Sequence, residues 1–210
     1  MKSERGVKAT IVGVALTTVF FGAVSIGFAG TADDIVARIE KHYQAVNDLS
    51  AKIIQKNFLE SVSKTQKFEG ELSIKKPGKL RLEYANGQVI VLDGSEVWFY
   101  SKKNEQAIRR TFKDFEAANV PVAFLLGAGN IREDFDVTQA GVEQAAEIDL
   151  TPKKPGAAMK KLRIKAVGEG GILVLTVYDK NGNTSEVSFS GVRENAGIDD
   201  ARFRFKVPKG

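Results

Sequence analysis

His42 is the single histidine of the chain, and there is no cysteine. Thiol nucleophiles, disulfides and thiolate metal sites are therefore excluded, and a histidine-rich zinc site has no ligands to draw on. His42 falls on an apolar stripe with Ile35, Ile39 and Val46. It reads as a packed core residue, which leaves no base for a Ser-His-Asp triad. The run "GAGNIR" at 127–132 puts Arg132 where a dinucleotide fingerprint needs its third glycine. "DKNGN" at 179–183 carries carboxylate and amide oxygens without the spacing of a calcium loop, and a hairpin turn accounts for it. Asp199-Asp200 lies in a polar turn and reads as solvated. No constellation here supports catalysis, and neither a cofactor nor a metal is expected.

Bulk properties narrow the class further. The 210 residues are 43% hydrophobic and 27% charged, an ordinary globular mix with enough chain for a real core. The net charge of +5 is partly spent on Lys2, Arg5 and Lys8 at the N-terminus, and the remainder is too small and scattered for nucleic acid. Behind that basic start, an apolar run from Thr10 to Phe28 ends in small residues. This is the pattern of a signal peptide over residues 1–29, cleaved after Ala29 or after Ala32. An uncleaved anchor is the alternative, since the run is nearly long enough to span a bilayer. No cysteine follows the run, so it is not a lipoprotein signal. Residues 30–210 are then one exported, soluble, monomeric domain, with no repeat, linker or low-complexity tract.

The elements follow from periodicity. Thr31 to Val46 reads as a helix, with Thr31 as N-cap and Asp33 and Asp34 at the positive end of its dipole. After it the period becomes two. Phe68, Gly70, Leu72 and Ile74 alternate with polar residues over 65–76, Pro77-Gly78 turns the chain, and Leu80, Leu82 and Tyr84 alternate again. Asp93-Gly94 is a strong hairpin signal inside "QVIVLDGSEVWFYSKK". Both faces of that hairpin are apolar: Ile90 and Leu92 oppose Val89 and Val91, and Val97 and Phe99 oppose Trp98 and Tyr100. Something must cover each face. Further strands are expected near 104–111, 146–151, 159–167, 171–179, 184–192 and 203–207. Residues 120–126, with Phe124 and Leu125, read as a short helix with no polar side, which must be surrounded by protein.

About ten twisted antiparallel strands tend to curl into a barrel or half-barrel. Its inner side would be lined by the alternate apolar residues, and the small apolar helix would plug its mouth. A filled core and a ligand cavity both satisfy this pattern.

The stretches "FEGELSIKKPGKLRLEY", "VIVLDGSEVWFY", "IDLTPKK" and "VYDKNGNTSEVSFSGVRENAGIDDARFRFKVPKG" resemble, in order and spacing, the LolA family of outer-membrane lipoprotein carriers. The resemblance implies an unclosed antiparallel β-barrel with a helical lid over an apolar cavity. It implies a periplasmic chaperone that accepts acylated lipoproteins from an inner-membrane lipoprotein-releasing ABC transporter and passes them to an outer-membrane acceptor of the LolB type. Burying some 14 methylenes at ~0.8 kcal/mol each is worth on the order of 11 kcal/mol per acyl chain, so acylated protein does not cross water unaided. A lid-covered module of the same fold that binds or senses another lipid or glycolipid is the alternative. The acyl-chain site implied is Leu72, Ile74, Leu80, Leu82, Tyr84, Ile90, Leu92, Phe124 and Leu125, with Leu80, Leu82 and Tyr84 at the cavity rim. Leu80 stands where the family has an aromatic residue. Lys76 stands where the family has an arginine that reaches lid carbonyls, which makes it the candidate lid latch. Lysine keeps the charge and the reach but loses the planar fork.

Overall fold

The computed structural model describes residues 30–111, 130–141, 146–154 and 159–206. The leader reading for 1–29 and the apolar helix at 120–126, with Phe124 and Leu125, lie outside these residues.

The chain opens with helix α1 (Ala32–Ala45). Thr31 and Asp34 form a reciprocal cap: Asp34 N–H donates to Thr31 Oγ1 at 3.3 Å, and Thr31 N–H donates to Asp34 Oδ2 at 2.9 Å. Ile35, Val36, Ile39 and Tyr43 are its buried face. His42, expected on that stripe, lies beside it instead. Its side chain is 23% exposed and its Nε2 pairs with Glu194 Oε1 at 2.8 Å. Tyr43, four residues after Ile39, takes the core position.

Eleven strands follow: β1 (Asp48–Leu59), β2 (Lys64–Lys75), β3 (Lys79–Tyr84), β4 (Gln88–Asp93), β5 (Glu96–Ser101), β6 (Gln106–Thr111), β7 (Phe135–Gly141), β8 (Ala146–Pro152), β9 (Met159–Val167), β10 (Gly171–Asp179) and β11 (Thr184–Glu194). A short helix α2 (Ile131–Asp134), capped by Asn130, precedes β7. All neighbours pair antiparallel in one sheet ordered β6-β5-β4-β3-β2-β1-β11-β10-β9-β8-β7. Two meanders of five strands therefore flank β1, and the sheet is unclosed, ending on β6 and β7. Two of these strands are absent from the sequence reading: the central β1 and the edge strand β7. The strand expected at 203–207 does not form, because Asp200–Phe203 is a 3-10 turn followed by irregular chain.

The sheet has an inner face, on which α1 lies, and an outer face. Alternation places Leu49, Ala51 and Ile53 of β1, Leu72 and Ile74 of β2, Leu80 and Leu92, Leu162, Ile164 and Ala166 inward, in one continuous core with the buried face of α1. α1 packs on β7, β8 and β10, so it covers the β7–β10 half of that face. The approach is close. Gly170, at φ +113° in the β9–β10 turn, would place a Cβ 2.6 Å from the Arg38 carbonyl oxygen of α1. Beyond α1, Asp48 is buried and its carboxylate accepts from Ala196 N at 2.8 Å and Gly197 N at 3.0 Å. That clasp fixes the exit of β11 against the start of β1.

Candidate functional site: the inner face of the open sheet

Register brings the expected residues together. Leu72 stands opposite Leu82 and Ile74 opposite Leu80 across β2 and β3; Leu80 then stands opposite Leu92, and Leu82 opposite Ile90, across β3 and β4. Tyr84 pairs with Gly70. All seven described members of the expected apolar site therefore share the inner face, and Phe99 of β5, opposite Ile90, extends it.

Their burial divides them. Leu72, Ile74, Leu80 and Leu92 are core residues, and Leu80, expected at the rim, is only 3% exposed. A charge at Leu80 would be buried without a partner, so Leu80→Glu belongs among core-breaking changes rather than surface ones. Leu82, Tyr84, Ile90 and Phe99 are half-buried and pack against the core from its open side. They lie on the β3–β5 half of the face, away from the strands that α1 covers.

Lys76 sits in the turn between β2 and β3, after a cis peptide to Pro77 on its C-terminal side. Its Nζ donates to the backbone carbonyl oxygen of Tyr43, in the last turn of α1. The lysine thus reaches a helix carbonyl, and the helix is α1. Burial pushes the Lys76 ammonium below the ordinary lysine range. A cation at a helix C-terminus meets the negative end of the dipole. Only about 10 Å³ remains open among Tyr43, Val46, Asn47, Asp48, Leu49, Ile74 and Lys76, so this end of α1 is seated tightly. Tyr43 is also held from the other side, since its hydroxyl accepts from Ile172 N at 3.1 Å. Burial pushes that phenol up to about 12.

The outer face of the same strands is covered by the chain's own C-terminal segment. Phe203, in the 3-10 turn, is 1% exposed, and Val91 is fully buried on the outer face, outside the main core. The Phe205 ring lies 5.4 Å from Trp98 and 5.8 Å from Tyr100. Ion pairs seat this segment. Lys75 and Lys79 grip Asp200 at 2.7 and 2.6 Å, and Arg81 and Arg202 share Glu83 at 2.7 and 2.6 Å. Asp200 is exposed, as the sequence reads, and is paired as well, while Asp199 caps the turn through Ala201 N at 2.7 Å. The hydrogen bonds from Lys75 and Lys79 hold the Asp200 carboxyl down to about 2. "DKNGN" behaves as the turn expected: Asp179 accepts from Asn181 N and Asn183 N at 2.8 Å and from Asn183 Nδ2 at 2.7 Å.

Among the described residues no group of three or more His, Asp or Glu side chains is placed to hold a metal. What the inner face offers among the described residues is apolar contact, with Leu82, Tyr84, Ile90 and Phe99 half-buried. Sequence reasoning missed Tyr43, whose signal was available in the i, i+4, i+8 series Ile35, Ile39, Tyr43. It also missed Gln55 and Asn57, which face inward from the unrecognised strand β1.

Residues 44–206 match the family model described as "Outer membrane lipoprotein carrier protein LolA". The outer-membrane lipoprotein carrier protein of Chromobacterium violaceum is 30% identical over 193 residues, covering 90% of this chain and 91% of that one. Its counterpart in Sodalis glossinidius is 30% identical over 200 residues, covering 93% and 94%. A crystal structure of a LolA-superfamily protein from Nitrosomonas europaea superposes with a TM-score of 0.47 at 13% identity, covering 84% of this chain and 99% of that one. With three quarters of its length inside the family model and relatives matched nearly end to end, this chain is a member of the LolA family of outer-membrane lipoprotein carriers.

Proposed function

We propose that this chain is a periplasmic lipoprotein carrier, holding the acyl chains of its cargo on the inner face of the open sheet while they cross the aqueous space. The observation that carries the reading is the half-buried apolar set Leu82, Tyr84, Ile90 and Phe99, packed on a core yet left at its open side in a chain whose relatives are named for lipoprotein transport. The acyl contacts are assigned to those four side chains, with Leu72, Ile74, Leu80 and Leu92 as the wall behind them; Phe124 and Leu125 are assigned as further acyl contacts on the family resemblance alone. Lys76 tethers α1 and so governs access. The cargo comes from an inner-membrane lipoprotein-releasing transporter and goes to an outer-membrane acceptor. Residues 1–29 are the export signal, and cleavage after Ala29 is favoured because it leaves Thr31 to cap α1, whereas cleavage after Ala32 would remove the cap. Loss of such a cap costs about 1 kcal/mol. Intact mass of the exported protein is expected to begin at Gly30; a form that begins at Asp33 refutes the assignment.

The test of the main reading is recovery of the protein from periplasm under mild conditions, with mass spectrometry of whatever accompanies it. Triacylated or diacylated lipoproteins are expected. Free lipid alone, with no acylated protein even from cells overproducing a lipoprotein, refutes the carrier reading and leaves a lipid-binding module.

A further inference from the structure

The inner face is not apolar throughout. Gln55 and Asn57 of β1 lie on the same face as Leu49, Ala51 and Ile53, and Ser185 of β11 stands opposite Asn57. These three and Tyr84 form one hydrogen-bonded knot. The Tyr84 hydroxyl donates to Gln55 Oε1. Gln55 Nε2 donates to Asn57 Oδ1 at 2.9 Å and to Ser185 Oγ at 3.1 Å, and Ser185 Oγ donates to Asn57 Oδ1 at 2.8 Å. Half-buried apolar groups surround it: the Phe68 ring lies 5.9 Å from that of Tyr84, and Val177 and Val187 pack on the core alongside.

The direction of these bonds matters. Both amide oxygens are engaged by internal donors, while the Asn57 amide nitrogen makes no hydrogen bond among the described residues. The knot therefore presents N–H outward and keeps its acceptors to itself. Its ideal guest is a group that accepts and does not donate. Along the same face, Tyr84, Leu82 and Leu80 run up β3 for about 13 Å as an apolar track. An acceptor-only group attached to a long alkyl chain is the carbonyl of an acyl ester or a tertiary acyl linkage. Burial also pushes the Tyr84 phenol up, so it remains a donor that holds Gln55 in place.

We infer that Asn57, oriented by Gln55, Ser185 and Tyr84, donates to the ester carbonyl of a glycerol-linked acyl chain whose alkyl part lies along Leu82, with the buried Leu80 as the wall behind it. The inference rests on the carrier reading and refines it: the apolar track holds the chain, and the knot sets how deep it lies. A protein-bound diacylglyceryl group and a phospholipid share this ester, so both are tested.

Purified protein is loaded with an apolar fluorescent probe, which is then displaced by matched lipids. The lipids are a diacylglyceryl lipopeptide and a diacyl phospholipid, each against its dialkyl ether counterpart of equal chain length. One added hydrogen bond predicts that ester forms bind about three- to tenfold more tightly than ether forms. Asn57→Leu, and separately Asn57→Asp, which keeps the acceptor for Gln55 and Ser185, should bring that ratio close to one. An ester preference confined to the lipopeptide assigns the subsite to the lipoprotein; a preference in both pairs assigns it to glyceryl esters in general. Equal binding of ester and ether by the wild type overturns the inference and leaves the carrier reading standing, as does an ester preference that survives in both variants. A wild type that takes up the probe and yields it to no lipid overturns the carrier reading itself.

Discussion

Leu80 and Leu82 are separated by one residue on the same strand and face the same side of the sheet, yet they should fail in opposite ways. Leu80 is 3% exposed between Ile74 and Leu92, so Leu80→Ala leaves a cavity in a packed region. Such truncations cost 2–5 kcal/mol, and about 3 kcal/mol is expected here. For a domain of this size, ~2–4 °C of Tm per kcal/mol gives a fall of roughly 6–12 °C. Leu82 is half-buried between Leu72 and Ile90, on the side of the face that α1 leaves open. Full burial of a leucine side chain is worth about 1.5–3 kcal/mol, so the half already buried puts Leu82→Ala near 1 kcal/mol in stability. The exposed half is what an acyl chain would cover. Its removal should weaken acyl binding by a further ~1 kcal/mol, or about fivefold. Thermal unfolding and displacement of an apolar fluorescent probe measure the two quantities on the same samples. Leu80→Ala should melt early and bind at nearly wild-type affinity below its transition; Leu82→Ala should melt late and bind weakly. A reversed pattern, with Leu82 the more destabilising and Leu80 the more damaging to uptake, would refute the division of the inner face into wall and contact surface.

Lys76→Met keeps the aliphatic stem and removes the donor to Tyr43 O; with part of the bond's value already spent on desolvating the ammonium, about 1 kcal/mol is expected. Hydrogen exchange should speed up in the last turn of α1 and not in β1 or β2, and uniform change would argue against a tether. Gly170→Ala forces a Cβ toward the Arg38 carbonyl at a positive φ, so a loss of ~2 kcal/mol or more with local exchange at residues 36–40 is expected; an unchanged melting curve would mean α1 shifts freely. Asp200, Glu83 and Asp149 are held below their usual values by their lysine and arginine partners. Their stabilisation is complete above the unfolded values of 3.8 and 4.5 and is lost as pH falls through the folded ones, to about 2 for Asp200. Urea unfolding between pH 6 and pH 2 should show that decline, and Asp200→Asn should flatten part of it; an identical profile in the variant would remove Asp200 from the account.

The parts of the fold that were legible in the sequence are those with uninterrupted period-two alternation or a glycine turn beside them. Leu80, Leu82 and Tyr84 alternate without interruption, and their register to Leu72, Ile90 and Leu92 follows from the turns at Gly78 and Gly87, both at positive φ. β1 escaped because Ile53 and Ile54 stand side by side. Ile53 is buried while Ile54 is 38% exposed on the outer face, so the hydrophobic pair breaks the period-two signal. The "FRF" of 203–205 alternates like a strand, but its two phenylalanines dock on Val91, Trp98 and Tyr100 without joining the ladder. Periodicity reports which side chains share a face and is silent on whether the backbone is paired. His42 and Tyr43 straddle the edge of the α1 stripe; Tyr43 continues the Ile35, Ile39 series inward, while His42 meets Glu194, a partner 152 residues away that periodicity does not reveal.

The two faces of the β3–β5 hairpin region are covered by different devices, and the difference bears on function. On the outer face, Phe203 and Phe205 are pressed onto Val91, Trp98 and Tyr100 and locked by pairs between Asp200, Lys75 and Lys79 and between Glu83, Arg81 and Arg202. Apolar contact and charge pairing there act on the same six-residue segment, 200–205. On the inner face, the described cover is α1; it lies over β7–β10, and Lys76 of the β2–β3 turn donates to its C-terminal turn. A sheet stabilised only from within would have to fill its inner face to fold. With the outer face carrying its own small core, the strands β3–β5 stay ordered while Leu82, Tyr84, Ile90 and Phe99 remain half-buried. Apolar surface held half-buried in this way costs stability that the outer closure offsets, and in the site proposed above it is the surface an acyl chain would cover.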